Sequence, residues 1–318
     1  MIRLTSQAQN FACKMCGKCC RNSWKILLDC EKAEEYKKLS ENDEYFAAHY
    51  KCGTDNAGQI FIRDCKLLLP DMRCYLHLKY GAEALSSVCL SYPRFFLRTN
   101  LLLEIGMSYA CPEAAKLLGT GITISNIADE AYTHPLPLYP KKIFLDGRYY
   151  RFEGEVLKML ADVDFSPQIF FLLQKCLSSG KVCYPAFEKL CGGFSDVQLD
   201  FVKYAVGKAV NFPALEKLAA VEKLVDLLIA DNCGIFKDYF TNFFFIKSFY
   251  PYRELEEDTL LMAQFVFCII RFYIALKMSE GEPGSRELIL NAVSFAEENF
   301  MHINSHAVNT LNYISEWY

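Results

Sequence analysis

The chain has no excess of positive charge: 34 Lys and Arg stand against 38 Asp and Glu, a formal net charge of −4. A protein that tracks phosphates needs clustered cations to displace counterions, so no nucleic acid is expected as a partner. The opening MIRLTSQAQNF lacks the apolar core of a secretory signal. An unbroken apolar run long enough to span a bilayer is also missing. The most apolar stretch, LLMAQFVFCIIRFYIAL, is interrupted by Gln264 and Arg271 and reads as a buried helix, so no membrane insertion is expected. These absences point to a cytoplasmic protein. In that reducing compartment 15 cysteines argue for metal binding or reactivity rather than disulfides. No repeat recurs with a period of roughly 20–50 residues, which excludes a solenoid. The glycine-rich fingerprint of dinucleotide sites is absent too: Gly119-Thr120-Gly121 follows a helical pattern, lacks a third glycine, and reads as a helix cap and turn.

What is present is apolar and thiol-rich. Hydrophobic residues make up 52% of the chain and aromatics 14%, which excludes a disordered segment and predicts a substantial core. Ten cysteines lie within the first 111 residues and five in the remainder. The pattern predicts a mostly α protein: a cysteine-rich, metal-binding part over residues 1–133 with short irregular or β-hairpin segments, a proline-containing linker over 134–148, and a helical domain over 149–318. DCEKAEEYKKLSENDEYFAAHY reads as one or two helices with charged faces in water. FIRDCKLLLPDMRCYLHLKYG mixes apolar runs with turn residues and predicts a hairpin or irregular loop entering a helix near Leu76 to Ser87. CPEAAKLLG has Pro112 and Glu113 suited to a helix start and Gly119 suited to its end. Apolar residues three and four apart in EVLKMLADV, LEKLAAVEKLVDLLIA and LILNAVSFAEENFM predict helices.

The stretch FACKMCGKCC places Cys13, Cys16, Cys19 and Cys20 within eight residues. Thiolates are soft ligands for zinc and iron–sulfur clusters. The short steps resemble cluster-binding segments, in which several sulfurs converge on one cuboidal centre. Zinc knuckles pair two ligands with two more at C-x2-C spacing, whereas the downstream candidates Cys65, Cys74, Cys89 and Cys111 lack that spacing. Eight candidate ligands exceed one tetrahedral site, which favours an iron–sulfur cluster, with zinc as the alternative and two metal sites left open. Adjacent cysteines seldom point at one metal centre, which ranks Cys13, Cys16 and Cys20 ahead of Cys19. The C-x3-C-x2-C motif of radical S-adenosylmethionine enzymes is missing, since Ser23 stands where its third cysteine would be. Cys176, Cys183, Cys191, Cys233 and Cys268 read as packing residues. Cys30 and Cys52 are not assigned. His302 and His306, four apart but without a third ligand, read as ordinary surface or core histidines, and YFTNFFFIKSFYPYR as helical core.

Four phrases, FACKMCGKCC, CKLLLPDMRCYLH, CLSYPRFF and SYACPEAAKLLG, in this order and at these separations, resemble the flagellin lysine-N-methylase family. That family shares its cysteine-rich part with a broader group of zinc- or iron-chelating proteins. The later YFTNFFFIKSFYPY and FAEENFMHINSHAVNTLNYI are similar to the family's C-terminal half, so the likeness spans most of the chain. The resemblance implies transfer of a methyl group from S-adenosylmethionine to lysine ε-amines of flagellin, by an enzyme carrying a [4Fe–4S] cluster. A lysine amine must lose its proton, with a pKa near 10.4 in water, before it attacks a sulfonium carbon. Tyr92, Glu104 and Glu113, all close to the signature, are the candidate catalytic residues. The alternatives are that Tyr92 packs beside Pro93, Glu104 sits on a strand edge and Glu113 serves its own helix start. Arg94, with a planar fork suited to carboxylates, is the candidate cofactor-binding residue; otherwise it forms a salt bridge. Two rival functions remain: a metal-binding module without catalysis, and an iron–sulfur redox protein.

Overall fold

The computed structural model describes residues 1–21, 26–54, 58, 60–62, 65–136, 141–142, 147–162, 165, 215–247 and 256–301. Cys176, Cys183, Cys191, His302 and His306 lie outside the described residues, as does the side chain of Cys268. In chain order the elements are β1 (Ile2–Thr5), α1 (Ser6–Asn10), α2 (Lys18–Arg21), β2 (Ile26–Leu28), α3 (Cys30–Asn42), α4 (Glu44–His49), β3 (Cys52–Thr54) and β4 (Ile60–Ile62). There follow α5 (Tyr75–Tyr80), α6 (Ser87–Ser91), β5 (Arg94–Arg98), β6 (Leu103–Met107), α7 (Pro112–Ala115), β7 (Ile124–Ile127), β8 (Lys141–Lys142) and α8 (Gly147–Asp162). The last four helices are α9 (Leu215–Asp231), α10 (Cys233–Asn242), α11 (Glu256–Ser279) and α12 (Arg286–Ala296). The protein is mostly α, as its helical periodicities predict.

Its centre, however, is a mixed five-stranded sheet in the order β7-β1-β6-β5-β8. β5 and β6 form a hairpin whose turn is held by Thr99: its hydroxyl accepts the N–H groups of Leu101 and Leu102, and its N–H donates to the Leu102 carbonyl at 2.9 Å. β1 then lies parallel to β6 and antiparallel to β7. Every residue of β6 is buried, the mark of a strand covered on both faces. The sheet escaped the sequence reading because β1 is only four residues long and pairs with strands about a hundred positions away.

The aromatic run Tyr239–Ile246 supplies the cover. Tyr239, Phe240, Phe243, Phe244, Phe245 and Ile246 are all fully buried, and each large apolar side chain so placed contributes roughly 1.5–3 kcal/mol. Close approach of α10 to β6 requires a glycine: a Cβ on Gly106 would stand 2.5 Å from Ile246 Cγ2 and 2.7 Å from Asn242 Oδ1. Asn242 closes the joint. Its Oδ1 accepts the Met107 N–H and its Nδ2 donates to the Met107 carbonyl, both at 2.9 Å. In α11 the apolar stretch that stops short of a membrane span packs Ala263, Val266, Ile269, Ile270 and Ile274 into the same core. Arg271, on its outer side, pairs with Glu222 and Asp226 of α9. Among the described residues no helix is long and apolar enough to cross a membrane. Residues on both sides of segment 134–148 share one core, which joins Ile2, Ile105 and Leu118 to Phe152, Phe236 and Val293.

A second, smaller core lies within residues 26–85. The antiparallel sheet β2-β4-β3 packs with α3, α4 and α5 around Leu28, Tyr36, Phe46, Ile62, Leu67 and Leu76. The charged stretch after Asp29 forms two helices. Asp29 caps α3 through the Lys32 N–H, and Asp43 caps α4 through the Phe46 N–H. Asp43 also accepts from Tyr75, Tyr80 and Lys79, tying α4 to α5.

Replacing Asn242 by Ala leaves a buried N–H and a buried carbonyl of β6 without partners. The expected loss is roughly 2–4 kcal/mol of folding stability, read as a shift of the denaturation midpoint. A change under about 0.5 kcal/mol would show that the bridge to β6 is dispensable.

Candidate metal centre

The end of α1 fixes where the cysteine loop begins. Arg94, on β5, donates from Nε to the Ala8 carbonyl at 2.7 Å and from Nη2 to the Phe11 carbonyl at 2.6 Å, with its guanidinium 5.8 Å from the Phe11 ring centre. Two residues later the loop reaches Cys13. Met15 and Gly17 adopt positive φ, 53° and 70°, which folds the loop back so that the Met15 N–H meets the Cys13 sulfur at 3.3 Å. Gly17 cannot be replaced cheaply: a Cβ there would lie 2.6 Å from the Met72 carbonyl oxygen. The loop therefore seats against the turn at 68–72, and α2 presents Cys19 and Cys20.

That turn belongs to a tight hairpin. Leu69 N–H donates to the Arg73 carbonyl and Tyr75 N–H to the Leu67 carbonyl, and Leu68 bridges Cys74. The pairing brings Cys65 and Cys74 to one side; of the hairpin and the irregular loop that the sequence left open, the structure has the hairpin. The helix beyond it is shorter than expected, because Gly81, at φ 85°, ends α5 before α6 begins. Ser86 caps α6 by accepting the Cys89 N–H at 3.2 Å, and Cys111 is the residue that opens α7.

Four separate stretches of chain thus converge, and Cys13, Cys16, Cys19, Cys20, Cys65, Cys74, Cys89 and Cys111 all line a single cavity of about 100 Å³. One water needs only roughly 10–15 Å³ of such space, so the cavity is several times larger than a lone ion requires. Among the described residues no group of three or more His, Cys, Asp or Glu is drawn tightly enough together to hold one metal ion. The thiols surround a space rather than a point. As a donor set, eight soft sulfurs around a cavity of this size suit an iron–sulfur cluster or more than one thiophilic metal.

The electrostatics of the cavity follow from crowding. Burial raises the Cys13 and Cys65 thiols above their ordinary value. Burial pushes Cys111 up to about 12, although the N–H groups of Ala114 and Glu113 aim at its sulfur. Cys89 is exposed by surface area because it faces the cavity, yet dense protein around it pushes it up to about 12 as well. Within the adjacent pair, the Cys20 thiol donates to Cys19, which lowers Cys19 to about 7 and raises Cys20.

Tyr92 and Glu113 line the same cavity. The Tyr92–Pro93 peptide is cis. Burial, reinforced by Cys111 and Cys19, raises the Tyr92 phenol, so it remains a proton donor. Glu113 pairs with Lys116 at 2.7 Å at the start of α7. Arg94 and Glu104 are elsewhere: Arg94 is spent on the two carbonyls that anchor the loop, and Glu104 is buried in the main sheet beside Arg3 and Glu153. His77 also lines the cavity, and sequence reasoning passed over it. Its signal was legible in CYLH, where the imidazole follows Cys74 by three residues at the start of a helix.

The Glu104 site is a three-residue cluster. Arg3 Nη1 donates to Glu104 Oε1 at 3.0 Å and stands 2.6 Å from Glu153 Oε1, the latter an ion contact without hydrogen-bond geometry. One guanidinium faces two buried carboxyls. Burial pushes Glu104 up to about 7 against the pull of Arg3, and burial together with the Glu104 charge pushes Glu153 up to about 8. Comparison with family models, curated proteins and solved structures gives no match.

Both carboxyls hold protons more tightly folded than unfolded, where the value is 4.5. Their contribution to stability is therefore complete below about pH 4.5 and is lost as pH rises through about 7 and 8. Urea denaturation across that window should show stability falling with pH, and Glu153→Gln should flatten the slope. A slope unchanged in the variant would remove the cluster from the account.

Proposed function

We propose that this chain is a cytoplasmic iron–sulfur methyltransferase that moves a methyl group from S-adenosylmethionine to lysine side chains of a protein substrate, flagellin. The observation that carries the metal half of this reading is the convergence of eight cysteines on one cavity. The methyl-transfer half rests on the resemblance of the four cysteine-bearing phrases and is supported by Tyr92 and Glu113 standing in the wall of the same cavity. In this reading residues 1–133 form the metal-binding part and 149–318 a helical part that completes its core.

Bound in the cavity, a [4Fe–4S] cluster would be held by thiolates from the Cys13–Cys20 loop together with the downstream set, and would supply positive charge and a Lewis-acidic iron for the polar end of the methyl donor. The chain's own residues do the rest. Arg94 fixes the loop that carries four of the thiols. Glu113, an acceptor at the cavity wall, receives the substrate ammonium and orients it. The ammonium then passes one proton to the Glu113 carboxylate, so that its freed lone pair can form the N–C bond while the C–S bond breaks and its electron pair stays on sulfur. Tyr92, held protonated by burial, donates a hydrogen bond and does not act as the base. The apolar walls formed by Phe11, Leu67 and Leu76 exclude water, which favours the neutral amine over the ammonium.

A second reading, a metal-binding module without catalysis, is favoured by one observation. Two of the polar residues expected to act, Arg94 and Glu104, are committed to contacts within the fold.

Incubating the anaerobically prepared protein with S-adenosylmethionine and flagellin should add methyl groups to flagellin lysines, read by mass spectrometry. Glu113→Gln and Tyr92→Phe should each slow this about 10-fold or more, about 1.4 kcal/mol in the barrier, without changing metal content. A metal-loaded protein that leaves flagellin unmodified selects the non-catalytic module.

A further inference from the structure

α12 reaches both sides of the cavity mouth and holds them unequally. The exposed part of the lining includes Cys13, Lys14 and Met15 of the cysteine loop, and the half-buried Glu113 lines it from α7. On the α7 side the grip is multiple and reaches into the core. Arg286 Nη2 donates to the Leu118 carbonyl at 2.6 Å, and Ser294 Oγ to the Tyr109 carbonyl at 2.8 Å. Glu297, fully buried, accepts the Tyr109 N–H at 3.0 Å and the Ser108 hydroxyl at 3.3 Å. On the side of the cysteine loop the contact is an ion pair at the surface. Lys18 Nζ stands 3.1 Å from Glu298 Oε2, with the two side chains 42% and 24% exposed.

Neighbouring residues of one π turn, Glu297–Met301, thus serve opposite ends: Glu297 turns inward and Glu298 outward. Glu298 also supplies the cysteine loop with a negative charge that the loop lacks, since the chain from Phe11 to Arg21 carries Lys14, Lys18 and Arg21 and no acid. Arg21 is turned toward the Met72 sulfur, and Gly17 lies against the Met72 carbonyl. The loop therefore rests on the hairpin along one side and on Glu298 along the other. Lys18 lies between Cys16 and Cys19 in the chain, so a displacement of Lys18 displaces those thiols.

We infer that the Lys18–Glu298 pair is a latch over the thiol cavity. Closed, it holds α2 against the end of α12 and restricts access to Cys16 and Cys19. Open, it lets the loop swing from its Arg94 anchor while the Cys111 side stays fixed by the buried grip of Glu297. The half-exposed pair is the releasable one of the two, because water and ions reach it and compete for Lys18.

This inference rests on the cavity being the working site proposed above, but not on methyl transfer or on which metal is bound, since thiol reactivity is read without either. Iodoacetamide labelling of the full chain, mapped by mass spectrometry, gives a rate for each cysteine. Lys18→Met and Glu298→Gln should each speed labelling of Cys16 and Cys19 about 3-fold, the scale of a half-exposed ion pair, with Cys111 and Cys233 unchanged. Raised sodium chloride should do the same to the wild type by screening the pair, and should have no such effect in either variant. The swapped pair, Lys18→Glu with Glu298→Lys, should return the rates toward wild type. Unchanged rates in both single variants, acceleration that extends to Cys111 and Cys233, or a swap that labels as fast as the single variants would each overturn the latch. A chain that shows these rates but leaves flagellin unmethylated keeps the latch and loses the methylase.

Discussion

Eight thiols share one cavity, and they cannot all ionise there unless something positive neutralises them. Each thiolate formed raises the cost of the next, because burial removes water and the neighbouring sulfurs bring charge of the same sign. The upward push on Cys13, Cys65, Cys89 and Cys111 is that penalty. A metal centre reverses it, since thiolates are the ligands soft metals prefer and binding releases their protons. Such a concentration of sulfur would be a liability as packing, and its donor chemistry suits a coordination site. The account of both the fold and the chemistry depends on this.

The fold is arranged so that the thiols meet. Arg94 sets the loop by gripping the end of α1, Gly17 lets that loop lie against the 68–72 turn, and Ser86 orients α6. The main sheet gives these pieces a rigid base. β6 is covered on both faces, and Asn242 and Gly106 weld it to the helical layer. Glu297, at the end of α12, adds a further tie by accepting the Tyr109 N–H at 3.0 Å, two residues before Cys111. The helical half thus bears on the cysteine-rich part through the strand and loop that lead into α7.

Local signals were legible in the sequence and distant ones were not. The Cys65–Cys74 hairpin could be read because Pro70 and Asp71 mark its turn. The two helices after Asp29 and the G-x-G turn, now seen with both Gly119 and Gly121 at positive φ, could be read for the same reason. The aromatic run from Tyr239 gave its core role through its density. The sheet was hidden because Ile2–Thr5 alone carries no strand pattern and finds its partners beyond residue 102. The roles of Arg94 and Glu104 were hidden for the same cause: their partners, Ala8, Phe11, Arg3 and Glu153, stand far off in the chain. A charged residue beside a signature looks catalytic until its partner is known. Which cysteines meet at the cavity likewise depends on tertiary approach, and C-x2-C-x2-C-C spacing does not contain it.

The measurement that bears most directly on the central claim is X-ray absorption at the metal edge of the protein purified without oxygen and without added methyl donor. The account predicts bound metal whose first coordination shell is dominated by sulfur. A shell of oxygen and nitrogen, or protein that remains metal-free with its thiols intact after exposure to iron, sulfide and zinc, would contradict it.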